Sequence, residues 1–167
     1  NMQDYLDAID AMAKEPYVDE TRLGAVGASY GGFSVFYLAG THNGRFKALV
    51  SHAGMYNFES WYGSTEEYWF PNKDIEGPYW VNPKPESYKY SPHLMVDKWT
   101  APILITVGEN DYRIPYTQSL EAFNAARIKG VAARLIIFPN ENHWITKPQN
   151  SVLWQREYFE FLDEYLK

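Results

Sequence analysis

The sequence predicts an α/β domain: a parallel sheet of about four strands with helices on both faces. Three observations carry that prediction. Apolar runs alternate with helical segments along the whole chain. The runs are continuous, as in strands buried on both faces, instead of alternating as in a half-exposed sheet. The 167 residues are 46% hydrophobic, enough for one real core, and show no internal repeat, low-complexity tract or strong domain boundary.

Each element follows from local pattern. Met2, Tyr5, Leu6, Ile9 and Met12 recur at helical steps, giving one apolar face, and Pro16 helps end that helix. A short buried strand is expected within Arg22 to Gly27. Tyr30 to Ala39 reads as a helix, with Phe33, Phe36 and Tyr37 at helical steps and Gly40 at its end. Phe46 to Ser51 is a second strand. Residues 54–92 carry Pro71, Pro78, Pro83, Pro85 and Pro92 and no clear period, so an irregular excursion with short helices is expected. Pro102 to Val107 is a third strand and Thr117 to Lys129 a helix closed by Gly130. Ala133 to Phe138 is a fourth strand, and Pro148 to Leu166 a terminal helix.

Composition removes several classes of function. A net charge of −6 argues against nucleic acid, because neutralising phosphates needs a basic face. No apolar run reaches the roughly 20 residues needed to span a bilayer. The absence of cysteine excludes disulfides and thiolate metal sites. The four histidines share no helical metal-ligand spacing, so no metal site is expected. Aromatics reach 17%, and many fall between Tyr56 and Tyr90. They could form a satellite core under a long loop, or a pocket for apolar or ring-shaped substrate groups.

The chemistry is carried by Gly27-Ala28-Ser29-Tyr30-Gly31-Gly32, placed between the first strand and the helix after it. It matches G-x-S-x-G, the nucleophile elbow of α/β-hydrolases. The serine must sit on a tight turn with strained backbone angles, and side chains at the flanking positions would collide with nearby backbone. Such a turn lifts the Ser29 hydroxyl above the sheet and aims the Tyr30 N–H at a developing oxyanion, with a helix N-terminus beneath it. The third strand ends in Gly108-Glu109-Asn110-Asp111, and the fourth leads through Phe138-Pro139-Asn140-Glu141-Asn142 to His143. An acid and a histidine past the carboxyl ends of parallel strands share the elbow's rim. The order Ser29, Asp111, His143 is the order this fold uses, with His143 as general base and Asp111 as orienting acid. Glu109 is the rival acid and reads better as a solvated loop carboxylate. His42, His52 and His93 read as structural or surface residues.

These motifs resemble the C-terminal part of the catalytic domain of prolyl oligopeptidase family serine peptidases, nearest to its dipeptidyl peptidase IV and acylaminoacyl peptidase-like branches. The resemblance rests on Gly27-Ala28-Ser29-Tyr30-Gly31-Gly32, on Asp111 followed by Arg113-Ile114-Pro115, on Glu141-Asn142-His143 and on Asp19-Glu20-Thr21-Arg22-Leu23. It covers essentially the whole chain. It implies a Ser29, Asp111, His143 triad, an oxyanion N–H from Tyr30, and no cofactor. It also implies that Tyr56, Phe58, Trp61 and Tyr62, with Arg113 and Ile114, contact substrate. The implied activity is cleavage of short peptides through an acyl-enzyme.

Similar enzymes carry an N-terminal β-propeller, a second oxyanion donor and a sheet of about eight strands. Residues 1–167 are therefore expected to be one partial catalytic domain, the C-terminal half of an α/β-hydrolase fold, with Asn1 reading as a cut. Alone it is expected to hydrolyse weakly or not at all, with the elbow strand as an open edge that invites a homodimer or the missing N-terminal part. An extracytoplasmic bacterial setting is compatible with the resemblance, and a cytoplasmic one stays open. Two other readings remain: a carboxylesterase or acyl hydrolase using the same triad, and a non-catalytic scaffold that keeps the fold.

Overall fold

The computed structural model describes residues 2–167. In chain order the elements are α1 (Met2–Met12), β1 (Leu23–Ala28), α2 (Tyr30–Ala39), β2 (Phe46–His52), α3 (Phe58–Tyr62) and α4 (Trp69–Asp74). Then come β3 (Ile103–Gly108), α5 (Thr117–Lys129), β4 (Ala133–Phe138) and α6 (Pro148–Leu166). Two 3-10 turns, Glu86–Tyr90 and Pro92–Lys98, complete the excursion between β2 and β3.

The four strands pair in the order β1-β2-β3-β4, all parallel. Successive residues of β2 face opposite sides of the sheet. Leu49 joins Val35, Phe36 and Leu38 of α2, Ala122 and Ala126 of α5, and Leu6 and Ile9 of α1. Ala48 and Val50 face the other side and pack with Phe161 of α6. The result is helix, sheet and helix in three layers. Phe36 and Trp99 are stacked at the centre of the first face and fully buried. Burying side chains of this size stabilises by roughly 1.5–3 kcal/mol each.

One expectation is corrected. Only β2 and β3 are buried along most of their length; β1 alternates, and Val26 is 47% exposed. The reason is position: β1 is an edge strand, hydrogen-bonded on one side only, so its apolar composition does not guarantee cover. Among the described residues no helix is long and apolar enough to cross a membrane.

Register positions the site. Ala28 lies beside His52, and His52 beside Thr106, so β1 and β2 finish level and β3 runs two residues further. Gly108 lies beside Phe138 at the ends of β3 and β4. Ser29, His52, Asp111 and His143 therefore emerge on one edge of the sheet, the carboxyl edge where open α/β sheets bind ligands.

Candidate active site

Ser29 sits between β1 and α2 with φ 59° and ψ −119°, a left-handed conformation that costs a non-glycine residue strain. Neighbouring backbone holds it there. Its N–H donates to the His52 carbonyl at 2.9 Å, and its own carbonyl accepts from Phe33 N–H at 3.0 Å. The glycines explain how the turn closes, with one correction to the sequence argument. A Cβ on Gly27 would lie 2.2 Å from the Gly31 carbonyl oxygen, so the first flanking position is closed to side chains. At Gly31 the space is open. The tight second position is Gly32, where a Cβ would meet Gly54 Cα and the His52 carbonyl, each at 2.7 Å. Gly32, the second glycine of the pair, thus lets α2 lie against the strand end of β2 and the turn after it. Tyr30 opens α2, and the first N–H groups of a helix have no intrahelical acceptor.

Past β3, Asp111 is buried and His143 nearly so. His143 Nδ1 lies 2.7 Å from Asp111 Oδ2. The other carboxylate oxygen, Oδ1, accepts from the N–H groups of Arg113 at 3.1 Å and Ile114 at 2.9 Å. Both oxygens of Asp111 are therefore committed, and a carboxylate so placed accepts the His143 Nδ1–H. This leaves Nε2 as the imidazole's free base. Glu109, the rival acid, is exposed, and its N–H donates to Phe138 O at 3.0 Å. Among the described residues the Ser29 hydroxyl has no hydrogen-bond partner, so Ser29 and His143 share a rim without a closed contact. Such bonds often tighten only when substrate binds.

The loops bearing Asp111 and His143 are tied together. Asn110 N–H donates to Glu141 O at 2.8 Å. A Cβ on Gly108 would lie 2.1 Å from Asn142 O, so only glycine lets the two loops close. Glu141 is buried and shapes the histidine loop from within. Burial works to raise its pKa. Hydrogen bonds from the Thr146 and Lys147 N–H groups, the Thr146 hydroxyl and Asn150 Nδ2 outweigh it and hold the carboxyl down at about 2.

A cavity of about 90 Å³ opens beside Ser29 and includes Tyr30, Met55, Trp61, Phe70, Asp74, Arg113 and Ile114 in its walls. A second, of about 370 Å³, shares Tyr30, Met55, Trp61 and Asp74 with the first and extends past Phe33 and Phe58 to Tyr90. Four of the six residues expected to touch substrate, Phe58, Trp61, Arg113 and Ile114, line one or both cavities. Arg113 is also a pin. Its guanidinium grips Glu67 through two bonds of 2.9 and 3.1 Å, and its carbonyl accepts from Trp61 Nε1 and Thr65 Oγ1.

Tyr56 and Tyr62 line neither cavity. Tyr56 precedes α3 and packs edge-on to Phe36 and Trp99 in the main core. Tyr62, one residue beyond Trp61, turns onto Tyr79 and Trp80 and donates to Asn72 Oδ1 at 2.9 Å. The aromatic segment is therefore a satellite core whose open side is the cavity wall, which joins the two readings of it. Met55, Phe70 and Asp74 escaped the sequence reading, as did Gln118. The Gln118 side chain is buried, and its Oε1 accepts from the N–H groups of Tyr56 and Asn57 and so anchors the entry to α3.

The remaining histidines take structural places. His42 Nδ1 accepts from Phe46 N–H at 3.0 Å, and His93 Nδ1 lies 2.7 Å from Ser91 Oγ. His52 is buried at the site itself, 2.8 Å from Thr106 Oγ1 through Nδ1. Its burial pushes the imidazole pKa down.

Dipeptidyl-peptidase 5 of Porphyromonas gingivalis is 52% identical over 170 residues, covering 100% of this chain and 25% of that protein. Dipeptidyl-peptidase 5 of Schizosaccharomyces pombe is 36% identical over 152 residues, 90% of this chain and 22% of that one. The acylaminoacyl peptidase of Pyrococcus horikoshii superposes with a TM-score of 0.90 at 28% identity, over 99% of this chain and 28% of its own. These likenesses give the sheet as part of an α/β-hydrolase peptidase fold, and the chain spans about a quarter of the length of the curated relatives it matches. The model of the prolyl oligopeptidase family matches residues 1–167, and the chain belongs to that family of serine peptidases.

Proposed function

We propose that this chain carries the reacting groups of a peptidase that cleaves short peptides through a Ser29 acyl-enzyme, releasing dipeptides or similarly small amino-terminal units. The single observation that supports it most is the 2.7 Å bond from His143 Nδ1 to a buried, fully hydrogen-bonded Asp111, on the rim where Ser29 is held in a strained turn. The names of the relatives support the substrate class.

In the proposed cycle His143 Nε2 takes the Ser29 proton as Oγ attacks the scissile carbonyl. Asp111 holds the Nδ1–H tautomer and stabilises the imidazolium. The oxyanion is met by the Tyr30 N–H at the start of α2. His143 then gives its proton to the leaving amine, and water repeats the sequence on the acyl-enzyme. The cavity beside Ser29, walled by Trp61, Met55 and Ile114, takes the apolar part of the residue before the cut bond. No cofactor enters this cycle.

The test is labelling with a fluorophosphonate probe, read by mass spectrometry, in the longest natural chain that contains this sequence. Labelling at Ser29 that is lost in His143→Ala is expected. Labelling elsewhere, or labelling that survives His143→Ala, would sink the reading. Release of a coumarin reporter from peptide amides, and not only from esters, separates a peptidase from an acyl hydrolase.

A further inference from the structure

The helix α3 has only five residues, yet it carries two rings of the cavity walls: Phe58 in the larger cavity and Trp61 in both. A helix that short does not hold itself in water, so its place is set by what grips it. Four successive N–H groups at its entry are taken by side chains. Gln118 Oε1 accepts from Tyr56 at 3.0 Å and Asn57 at 2.9 Å. Ser91 Oγ accepts from Phe58 at 3.0 Å, and Asn57 Oδ1 from Glu59 at 3.1 Å.

Gln118 lies in the first turn of α5, fully buried and outside both cavity walls. Its bonds run in one direction only. Backbone N–H groups donate and never accept, so they fix which end of the amide is oxygen, and Nε2 donates to Ser60 Oγ at 2.7 Å. The Ser60 hydroxyl gives its proton to Glu121 Oε1 at 2.8 Å, and Glu121 Oε2 accepts from Asn57 Nδ2 at 3.0 Å. That leaves Asn57 Oδ1 to cap α3. The bonds close into a ring through which α5 grips both the entry and the middle of α3, and a fully satisfied polar ring is rigid.

We propose that Gln118 is a positioning residue for substrate selection. Through Asn57, Ser60 and Glu121 it sets where Trp61 stands, and so which residue before the cut bond is accepted. The inference rests on the reading that the cavity beside Ser29 takes that residue. Gln118 itself touches no substrate.

The experiment uses the longest natural chain containing this sequence and a series of dipeptidyl-coumarin amides that differ only before the cut bond: glycine, alanine, leucine and phenylalanine. Gln118→Met keeps the length of the side chain and removes its polar end. It is expected to narrow the spread of kcat/KM across the series about tenfold, mainly through KM, because two N–H groups lose their partner and Trp61 gains freedom. Fluorophosphonate labelling of Ser29 should keep its rate within about twofold, since the triad is untouched. Gln118→Glu combined with Glu121→Gln reverses the direction of the ring and keeps every donor matched to an acceptor, so it should restore most of the spread. Gln118→Glu alone leaves one Ser60 proton between two carboxylates and should not. A spread unchanged in Gln118→Met, or absent from the unaltered protein, overturns the proposal. So does an equal loss on every substrate, or a double variant no wider in spread than Gln118→Glu. Should Gln118→Met fail to fold, Ser60→Ala cuts the same ring from α3 and is read by the same criteria. If Ser29 labels normally and the spread does not change, the proposal fails alone. If the unaltered protein does not label at Ser29, the peptidase reading fails with it.

Discussion

His52 Nε2 lies 3.4 Å from the main-chain carbonyl of His143, the residue whose side chain meets Asp111. A carbonyl only accepts, so Nε2 carries the proton and Nδ1 is left to accept from the Thr106 hydroxyl at 2.8 Å. Thr106 Oγ1 in turn accepts from Trp154 Nε1 at 3.1 Å, so a line of satisfied bonds runs from α6 to the histidine loop. The carbonyl of the same His52 receives the Ser29 N–H. His52, at the end of β2, thus touches the serine turn through its carbonyl and the histidine loop through its imidazole.

His52→Phe keeps the ring and removes both nitrogens. It is expected to lower kcat about tenfold or more with little change in KM, because losing a buried partner misplaces the base without touching the cavity. His52→Gln, whose amide can reach the His143 carbonyl, should recover part of kcat. Equal effects of the two substitutions, or an effect confined to KM, would remove His52 from the positioning of His143.

Asp111→Asn should preserve the fold and cut kcat by about 10⁴. The amide would present a donor where the imidazole needs an acceptor, favouring the wrong tautomer. Steady-state kinetics beside an unchanged circular dichroism spectrum checks this.

Glu141 predicts an acid limit to stability. Its folded pKa of about 2 lies below the ordinary 4.5. A depressed carboxyl stabilises the folded state above its unfolded pKa, and that contribution is lost as pH falls through the folded value. Thermal denaturation should therefore show a melting temperature that declines between pH 4.5 and about 2, and Glu141→Gln should flatten that stretch of the curve. A variant curve parallel to the original would remove Glu141 as the cause.

Gly108→Ala places a methyl group 2.1 Å from Asn142 O, where both neighbours are backbone and neither loop can yield without parting Asp111 from His143. Destabilisation of about 1–3 kcal/mol is expected, together with loss of activity. Gly31→Ala, one turn into open space, should be tolerated far better. Chemical denaturation of the pair gives the contrast directly.

The order of elements was legible in the sequence because it depends on local pattern. Helical spacing set α1, α2, α5 and α6, and continuous apolar runs between turns set the strands to within a residue or two. Gly-x-Ser-x-Gly between strand and helix, with an acid and a histidine after later strands, placed the three candidate reacting residues on one rim, because parallel strands end on the same side. What the sequence could not contain is which side chains face each other across long separations. Trp61 and Tyr62 are neighbours of like chemistry, yet one lines the cavity and the other turns away, since their directions differ by a helical step. His52 read as an ordinary strand-end histidine. Its contacts to Thr106 and His143, 54 and 91 residues away, exist only once β2 lies against β3. Asp74, Met55 and Phe70 escaped the sequence reading, because only the packing of the excursion against α2 and the Asp111 loop puts them in the cavity walls. Periodicity fixes what a segment becomes; packing decides what it meets.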